Sequence, residues 1–243
     1  MPILAERGYL IPAVGDVYVK CAERLADSIR EWHPEANITI LTQEMLPYGD
    51  RGGYANDWQC FAASPYRETI KLEADMFCSS PIDHWWRLFE HRDVVVSQGC
   101  RDFYDQPGKS RQYRQIFDNN NLPDVYNAVT YWRVSQTAKD FFALVRRIFE
   151  QWDSYKALLM YPDELPTTDV VYAMAAVIMG EERVTLPTRL GPTIVHMKKD
   201  MISTNATKWT DELVWEYTMP GLRINTVAQW GLVHYHIKEW ANE

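Results

Sequence analysis

Apolar positions recur at helical spacing in two clear places. Ala22, Leu25, Ala26 and Ile29 follow the i, i+3, i+4, i+7 rule and predict a helix over Val17 to Trp32, ended by His33-Pro34. Phe141, Phe142, Val145, Ile148, Phe149 and Trp152 make a broad apolar face and predict a second helix over Thr137 to Trp152. A third is expected over Thr168 to Met179, with Gly180 just past its end. Short β-branched or apolar runs predict strands at Ile3 to Ile11, Asn37 to Thr42, Glu68 to Leu72 and Asp93 to Ser97. A short helix is expected over Asp57 to Ala63. Another is expected from Ser80, where Ser80, Pro81 and Asp83 read as N-cap, first-turn proline and first-turn acid. Further strands are expected at Arg183 to Leu186, Thr193 to Met197 and Gly231 to Ile237. The early alternation of strand and helix predicts an α/β fold with a mainly parallel central sheet flanked by helices.

Neither a repeat nor a long linker interrupts the 243 residues, so the expectation is one domain over 1–243. Gln98 to Asp124 is polar and weakly periodic and reads as a loop over the active face. Hydrophobic residues make up 47%, enough to bury a sizeable core and to exclude general disorder. The 10 Trp and 14 Tyr exceed what a plain core needs and suggest an aromatic-lined pocket. The net charge is −8, which argues against bulk binding to nucleic acid or an anionic membrane. The sequence has neither an apolar run of about eighteen residues nor a basic region followed by an apolar stretch, so neither a membrane span nor a secretory signal is expected. Cys21, Cys60, Cys78 and Cys100 form no CxxC pair, which points to reduced thiols and a cytoplasmic location.

Chemistry concentrates in TIKLEADMFCSSPID. Glu73 and Asp75, two apart just after an apolar strand, face one side of an extended chain. Two carboxylates so close repel unless a cation or proton lies between them. A hard divalent ion, Mg²⁺ or Mn²⁺, is the natural partner when substrate phosphates complete its shell. In open α/β sheets, ligands bind at the carboxyl ends of strands, where this pair falls. A lone ExD triplet is more often a solvated acidic turn. The preceding strand and the following helix start are what favour a site. In GLVHYHIKEW, His234, His236 and Lys238 alternate, so a strand would present all three on one face. Imidazole suits Mn²⁺ and lysine suits phosphate. His236 is the first choice of ligand and His234 the second, with His196 beside Lys198 as a rival. An edge strand with a polar outer face is the alternative.

The order of the first helix, NITILT, SPYRETIKLEADM and SSPIDHWW resembles GT-A-fold glycosyltransferases, including some encoded by bacteriophages. The likeness runs from Val17 to Trp240. It implies a nucleotide-sugar donor, a UDP-sugar as the first choice, held through Mn²⁺ or Mg²⁺ at an acidic DxD motif. Here that motif is Glu73-Ala74-Asp75, with Glu in the first acidic place. Asp75 maps as metal ligand, while Glu73 acts directly, through water, or on the ribose. By the same resemblance, Asn127-Ala128-Val129 lies under the donor sugar or acceptor. Asp169 stands near the transferred sugar, a C-terminal His completes the metal site, and Lys238 meets the diphosphate. The resemblance divides the domain into a donor-binding part, about 1–100, and an acceptor and catalytic part, about 101–243.

An inverting transfer needs a base, for which Asp169 at a helix start is the candidate. A retaining one would use it to orient the sugar. A plain first-turn acid is the other reading of Asp169. For the acceptor, Arg101, Lys109, Arg111 and Arg114 interleave with Phe103, Tyr104, Tyr113 and Phe117. That pattern suits a nucleic-acid groove, although taken alone such a segment is more often a solvated surface loop and helix. The resemblance to bacteriophage glycosyltransferases implies a hydroxymethylated pyrimidine in phage DNA as one acceptor, which Arg101, Arg111, Tyr113 and Arg114 would contact. A small molecule or envelope glycan is another. No membrane or obligate protein partner is expected. A non-catalytic nucleotide-sugar or glycan binder and a metal-dependent phosphoesterase are the rival classes.

Overall fold

The computed structural model describes residues 3–108, 115–187, 190–197, 208–218 and 221–242. In chain order it contains β1 (Ala5–Pro12), α1 (Asp16–Trp32), β2 (Ile38–Leu41), α2 (Gln59–Ala63), β3 (Tyr66–Leu72), β4 (Met76–Cys78), α3 (His84–Phe89) and β5 (Val94–Gln98). Then come α4 (Gln115–Asn119), β6 (Val125–Arg133), α5 (Gln136–Glu150), α6 (Trp152–Leu159), α7 (Thr168–Met179) and α8 (Glu181–Val184). The last elements are β7 (Ile194–His196), β8 (Trp215–Thr218), β9 (Gly221–Ile224), β10 (Val227–Ala228) and β11 (Leu232–His234).

Five strands form the main sheet in the order β2-β1-β3-β6-β5. β2, β1 and β3 run parallel, and only β6 opposes its neighbours. This is the mainly parallel α/β sheet that the strand-helix alternation predicts. Both faces are covered, and the period-two alternation of strand side chains divides them. Tyr9, Ile11, Ile70, Leu72, Val95 and Tyr131 point into one core, with Cys21, Leu25 and Ile29 of α1. Leu10, Val94, Val96 and Trp132 point into the other, against Phe141, Phe142 and Val145 of α5 and Val171 and Tyr172 of α7. Large aromatics fill these cores, and Trp85, Trp132 and Trp240 are fully buried. The aromatic surplus is therefore largely core, and among the described residues Trp230 is the only exposed tryptophan.

Several boundaries differ from the sequence expectation. Arg183 to Leu186 is not a strand: Glu181–Val184 forms α8, and Thr185 keeps only an isolated bridge to Val96. The helix expected from Ser80 begins at His84, because the Ser80 hydroxyl is engaged elsewhere, accepting the Gly231 N–H at 2.7 Å. The helix expected over Asp57 to Ala63 begins at Gln59. The long helix over Thr137 to Trp152 starts at Gln136 and breaks at Gln151, where α6 begins. The last strand ends at His234, since His236 is in the left-handed region at φ 59°. Thr168–Met179 is helical as expected, with the Thr167 hydroxyl accepting the Val170 N–H and Gly180 at φ 92°.

A second sheet, β4-β11-β7, stands beyond the carboxyl end of β3. Gly231 sets its register. Its carbonyl accepts the Ser79 N–H, and its φ of +72° lies where L side chains are strained. A Cβ there would lie 2.3 Å from the Thr193 carbonyl oxygen. Gly231→Ala is expected to cost about 1–3 kcal/mol from the backbone conformation alone. At this chain length that lowers Tm by roughly 2–12 °C, measurable by calorimetry. An unchanged Tm would show that β11 tolerates a shifted register.

Candidate active site

Three elements meet at the carboxyl end of β3. Glu73 follows the strand and donates its N–H to the Ala128 carbonyl of β6. Asp75 follows two residues later, and its carbonyl accepts the Tyr235 N–H. β11 lies antiparallel to β4, with His234 opposite Met76, and parallel to β7, with His234 opposite His196. A residue distant in sequence is thereby held against the acidic pair. His234 Nε2 is 3.1 Å from Asp75 Oδ2, and His234 Nδ1 is 3.4 Å from Glu73 Oε2. His236 Nδ1 is 4.0 Å from Asp75 Oδ2. The structure thus puts His234 nearer the carboxylates than His236, the reverse of the order in which sequence ranks them. Lys238 pairs with Asp75 Oδ2, reaching it from a 3-10 turn rather than from a strand.

The electrostatics follow from burial and proximity. Burial alone would raise Asp75, but His234 and Lys238 outweigh it and hold the carboxyl well below the usual range. Burial raises Glu73 and the neighbouring Asp75 adds to this, while His234 opposes it. Burial pushes His234 down, and Asp75 more than offsets that, so His234 is raised. His236 is lowered, by burial first and then by His234 and His196. One oxygen or nitrogen each from Glu73, Asp75 and His234 lies within 4.8 Å of the others. Two carboxylates and an imidazole are a donor set that fits a divalent ion of the Mn²⁺ or Mg²⁺ type.

The start of β6 forms the next wall. Because β6 runs antiparallel to β3, Leu72 pairs with Val129 and Asn127 falls beside the acidic pair. The Asn127 N–H donates to Asp169 Oδ1 at 2.8 Å, which ties β6 to the first turn of α7. Behind it, Lys71 Nζ contacts Asp57 Oδ2 at 2.7 Å. The Tyr172 hydroxyl and the Asn127 side-chain amide both donate to Asp57 Oδ1, the latter at 3.4 Å. Tyr18 and Tyr54 are exposed beside the site. Lys238 Nζ lies 5.3 Å from the Tyr18 ring, and Tyr54 feels the charges of Glu73, Asp169 and Lys238.

Sequence reasoning did not single out Asp57, Lys71, Tyr126 or Tyr172. One signal was available: Lys71 lies between Ile70 and Leu72 in the apolar end of its strand, and a charge buried there requires a partner. Of the basic segment, Arg101 bonds Asp105 of its own loop, and its backbone joins β7. Lys109, Arg111, Tyr113, Arg114 and Lys198 lie outside the described residues.

No protein-family model matches the sequence, and no curated protein matches it. Solved structures do match its fold. An active-site mutant of LgtC superposes with a TM-score of 0.52 at 14% identity, over 94% of this chain and 87% of that one. Mouse xyloside xylosyltransferase 1, in its apo form, gives 0.53 at 9% identity, over 96% and 98%. This chain has the GT-A glycosyltransferase fold. The bifunctional glycosyltransferase WbbM is also similar, at 0.51 and 14% identity. There 96% of this chain covers 46% of that one. In the GT-A fold of this chain, Glu73, Asp75 and His234 sit at the carboxyl edge of the main sheet. Among the described residues, no helix is long and apolar enough to cross a membrane.

Proposed function

We propose that this protein is a metal-dependent glycosyltransferase that moves a sugar from a nucleotide-sugar donor, a UDP-sugar first, to an acceptor hydroxyl. The observation that carries this reading is the meeting of Glu73, Asp75 and His234 within 4.8 Å at the edge of a GT-A sheet. Those residues would hold Mn²⁺ or Mg²⁺, which supplies Lewis-acid neutralisation of the leaving diphosphate. Lys238 brings a second positive charge to the same oxygens. Asn127 and Asp169 bound the space where the sugar is transferred. Asp169 takes the acceptor proton in an inverting transfer or orients the sugar in a retaining one.

The test is a thermal-shift panel of nucleoside diphosphates and nucleotide sugars with and without Mn²⁺. One nucleotide is expected to stabilise the protein only with the ion, by about 2.7 kcal/mol at a hundredfold excess over Kd. Removal of the ion by a chelator is expected to reverse the shift. A panel with no ion-dependent shift would overturn the reading.

For the acceptor, the basic and aromatic sequence of Arg111, Tyr113 and Arg114 suits DNA, and the resemblance to phage enzymes suggests a hydroxymethylated pyrimidine in it, while Arg101 is engaged by Asp105. Duplex DNA titrated across salt decides this. Binding that weakens steeply with salt supports DNA, and no binding at low salt leaves a small-molecule or envelope-glycan hydroxyl. Cys21, Cys60 and Cys78 are free thiols, which suits action in the cytoplasm.

A further inference from the structure

Beside the acidic pair lies a group of three nitrogen donors, two of which, His196 and His236, the proposed transfer does not use. His196, His234 and His236 each offer a ring nitrogen, and the three atoms lie within 4.8 Å of one another. They come from two separate segments. His196 ends β7, His234 ends β11 directly beside it, and His236 follows two residues later with its backbone in the left-handed region. His196 and His234 are buried, and His236 is partly buried. His236 Nε2 lies 3.1 Å from His196 Nδ1. Two ligands of a tetrahedral Zn²⁺ with Zn–N bonds of about 2.0–2.1 Å stand roughly 3.3 Å apart. The Tyr126 hydroxyl bonds both His196 Nδ1 and His234 Nδ1, so these two ring nitrogens face one point.

The chemistry of this set differs from that of its neighbour. Glu73 and Asp75 present hard oxygens, whereas three imidazoles present borderline nitrogens and favour ions late in the first transition row. His234 belongs to both sets. We infer that His196, His234 and His236 form a tri-imidazole site for a Zn²⁺-class ion, and that filling it withdraws His234 from the acidic pair. Zn²⁺ is then an antagonist of the Mn²⁺-dependent state. The antagonism rests on the reading of Glu73, Asp75 and His234 as ligands of the catalytic ion, whereas the binding does not.

Calorimetric titration of the metal-free protein with Zn²⁺, and visible absorption with Co²⁺ as the coloured probe, read the site without any donor or turnover. One ion per chain is expected, with tetrahedral Co²⁺ bands. His196→Ala is expected to weaken Zn²⁺ at least about tenfold, as losing part of a metal's support does. His236→Asn serves as a second variant, because this side chain is partly exposed and Asn tolerates the left-handed region. Asp75→Asn is expected to keep Zn²⁺ bound at equal or higher affinity, because it releases His234 from its contact with the carboxylate. Zn²⁺ binding that survives both histidine variants, or that disappears in Asp75→Asn, would overturn the site. An absence of binding to the unaltered protein would show that the histidines and Tyr126 form a hydrogen-bonded cluster only. In the thermal-shift assay, Zn²⁺ is expected to reverse stabilisation by Mn²⁺ and nucleotide in the unaltered protein but not in His196→Ala. Reversal in both would overturn the antagonism. Failure of Mn²⁺ and nucleotide to stabilise at all tells against the transferase reading, and the Zn²⁺ titration still decides the site.

Discussion

Asp75→Asn is expected to lower Mn²⁺-dependent sugar transfer, or donor hydrolysis, by at least about 10²–10³-fold while the protein stays folded. The size follows from what the side chain does. Asp75 is buried, touches His234 and Lys238, and is held ionised by both. Asparagine keeps the shape but removes the negative charge, so the ion loses a carboxylate ligand and Lys238 loses its partner. Lys238 is 27% exposed and can find water, so the loss falls on activity more than on stability. The measurement is kcat/KM with saturating Mn²⁺, alongside a melting curve. Full activity in Asp75→Asn would remove the acidic pair from the mechanism. A collapsed melting curve would instead place Asp75 among the residues that hold β4 to β11.

The second large effect concerns stability. Lys71 is fully buried, and its ammonium contacts Asp57, whose side chain is 12% exposed. Burial pushes Lys71 down, and the Asp57 carboxylate more than offsets this, so Lys71 stays charged. Asp57→Ala leaves that charge unpaired in the core beneath α7. Breaking a buried pair from one side costs about 3–5 kcal/mol. For a chain of this length Tm then falls by roughly 6–20 °C. Denaturant unfolding checks the value, and a loss below about 1 kcal/mol would mean that Lys71 reaches water or another anion. The double variant Asp57→Leu with Lys71→Met is expected to recover much of the loss, since apolar replacement of a whole buried pair is often neutral. Activity should fall with Asp57→Ala as well, because the Asn127 amide donates to Asp57 while the Asn127 backbone binds Asp169.

Local features of the chain were legible where local physics decides them. α1 and α7 lie where periodicity and end signals place them, because a helix face repeats over a few residues and its caps are adjacent. β2 and β5 match their short β-branched runs to within a residue. Ser80 was misread because a serine before proline serves a helix start and a long-range contact equally well. Here the Gly231 N–H, 151 positions away, claims its hydroxyl. Arg183 to Leu186 was misread because Gly180 at φ 92° permits a new helical turn, which short-range strand propensity does not anticipate.

By itself, the sequence determined the α/β class, the strand that delivers Glu73 and Asp75, and the residue types able to meet a metal and a diphosphate. Strand alternation and carboxylate repulsion act within a few positions, so they can be read along the chain. Only the tertiary structure decided that His234 rather than His236 stands nearest the acids, that His196 joins them, and that Asp57 neutralises Lys71. The histidine contacts depend on β11 entering between β4 and β7, a register set by Gly231 and by strand pairing across more than a hundred residues. Pairing at that distance is chosen by the packing of the whole sheet, and no local pattern encodes it.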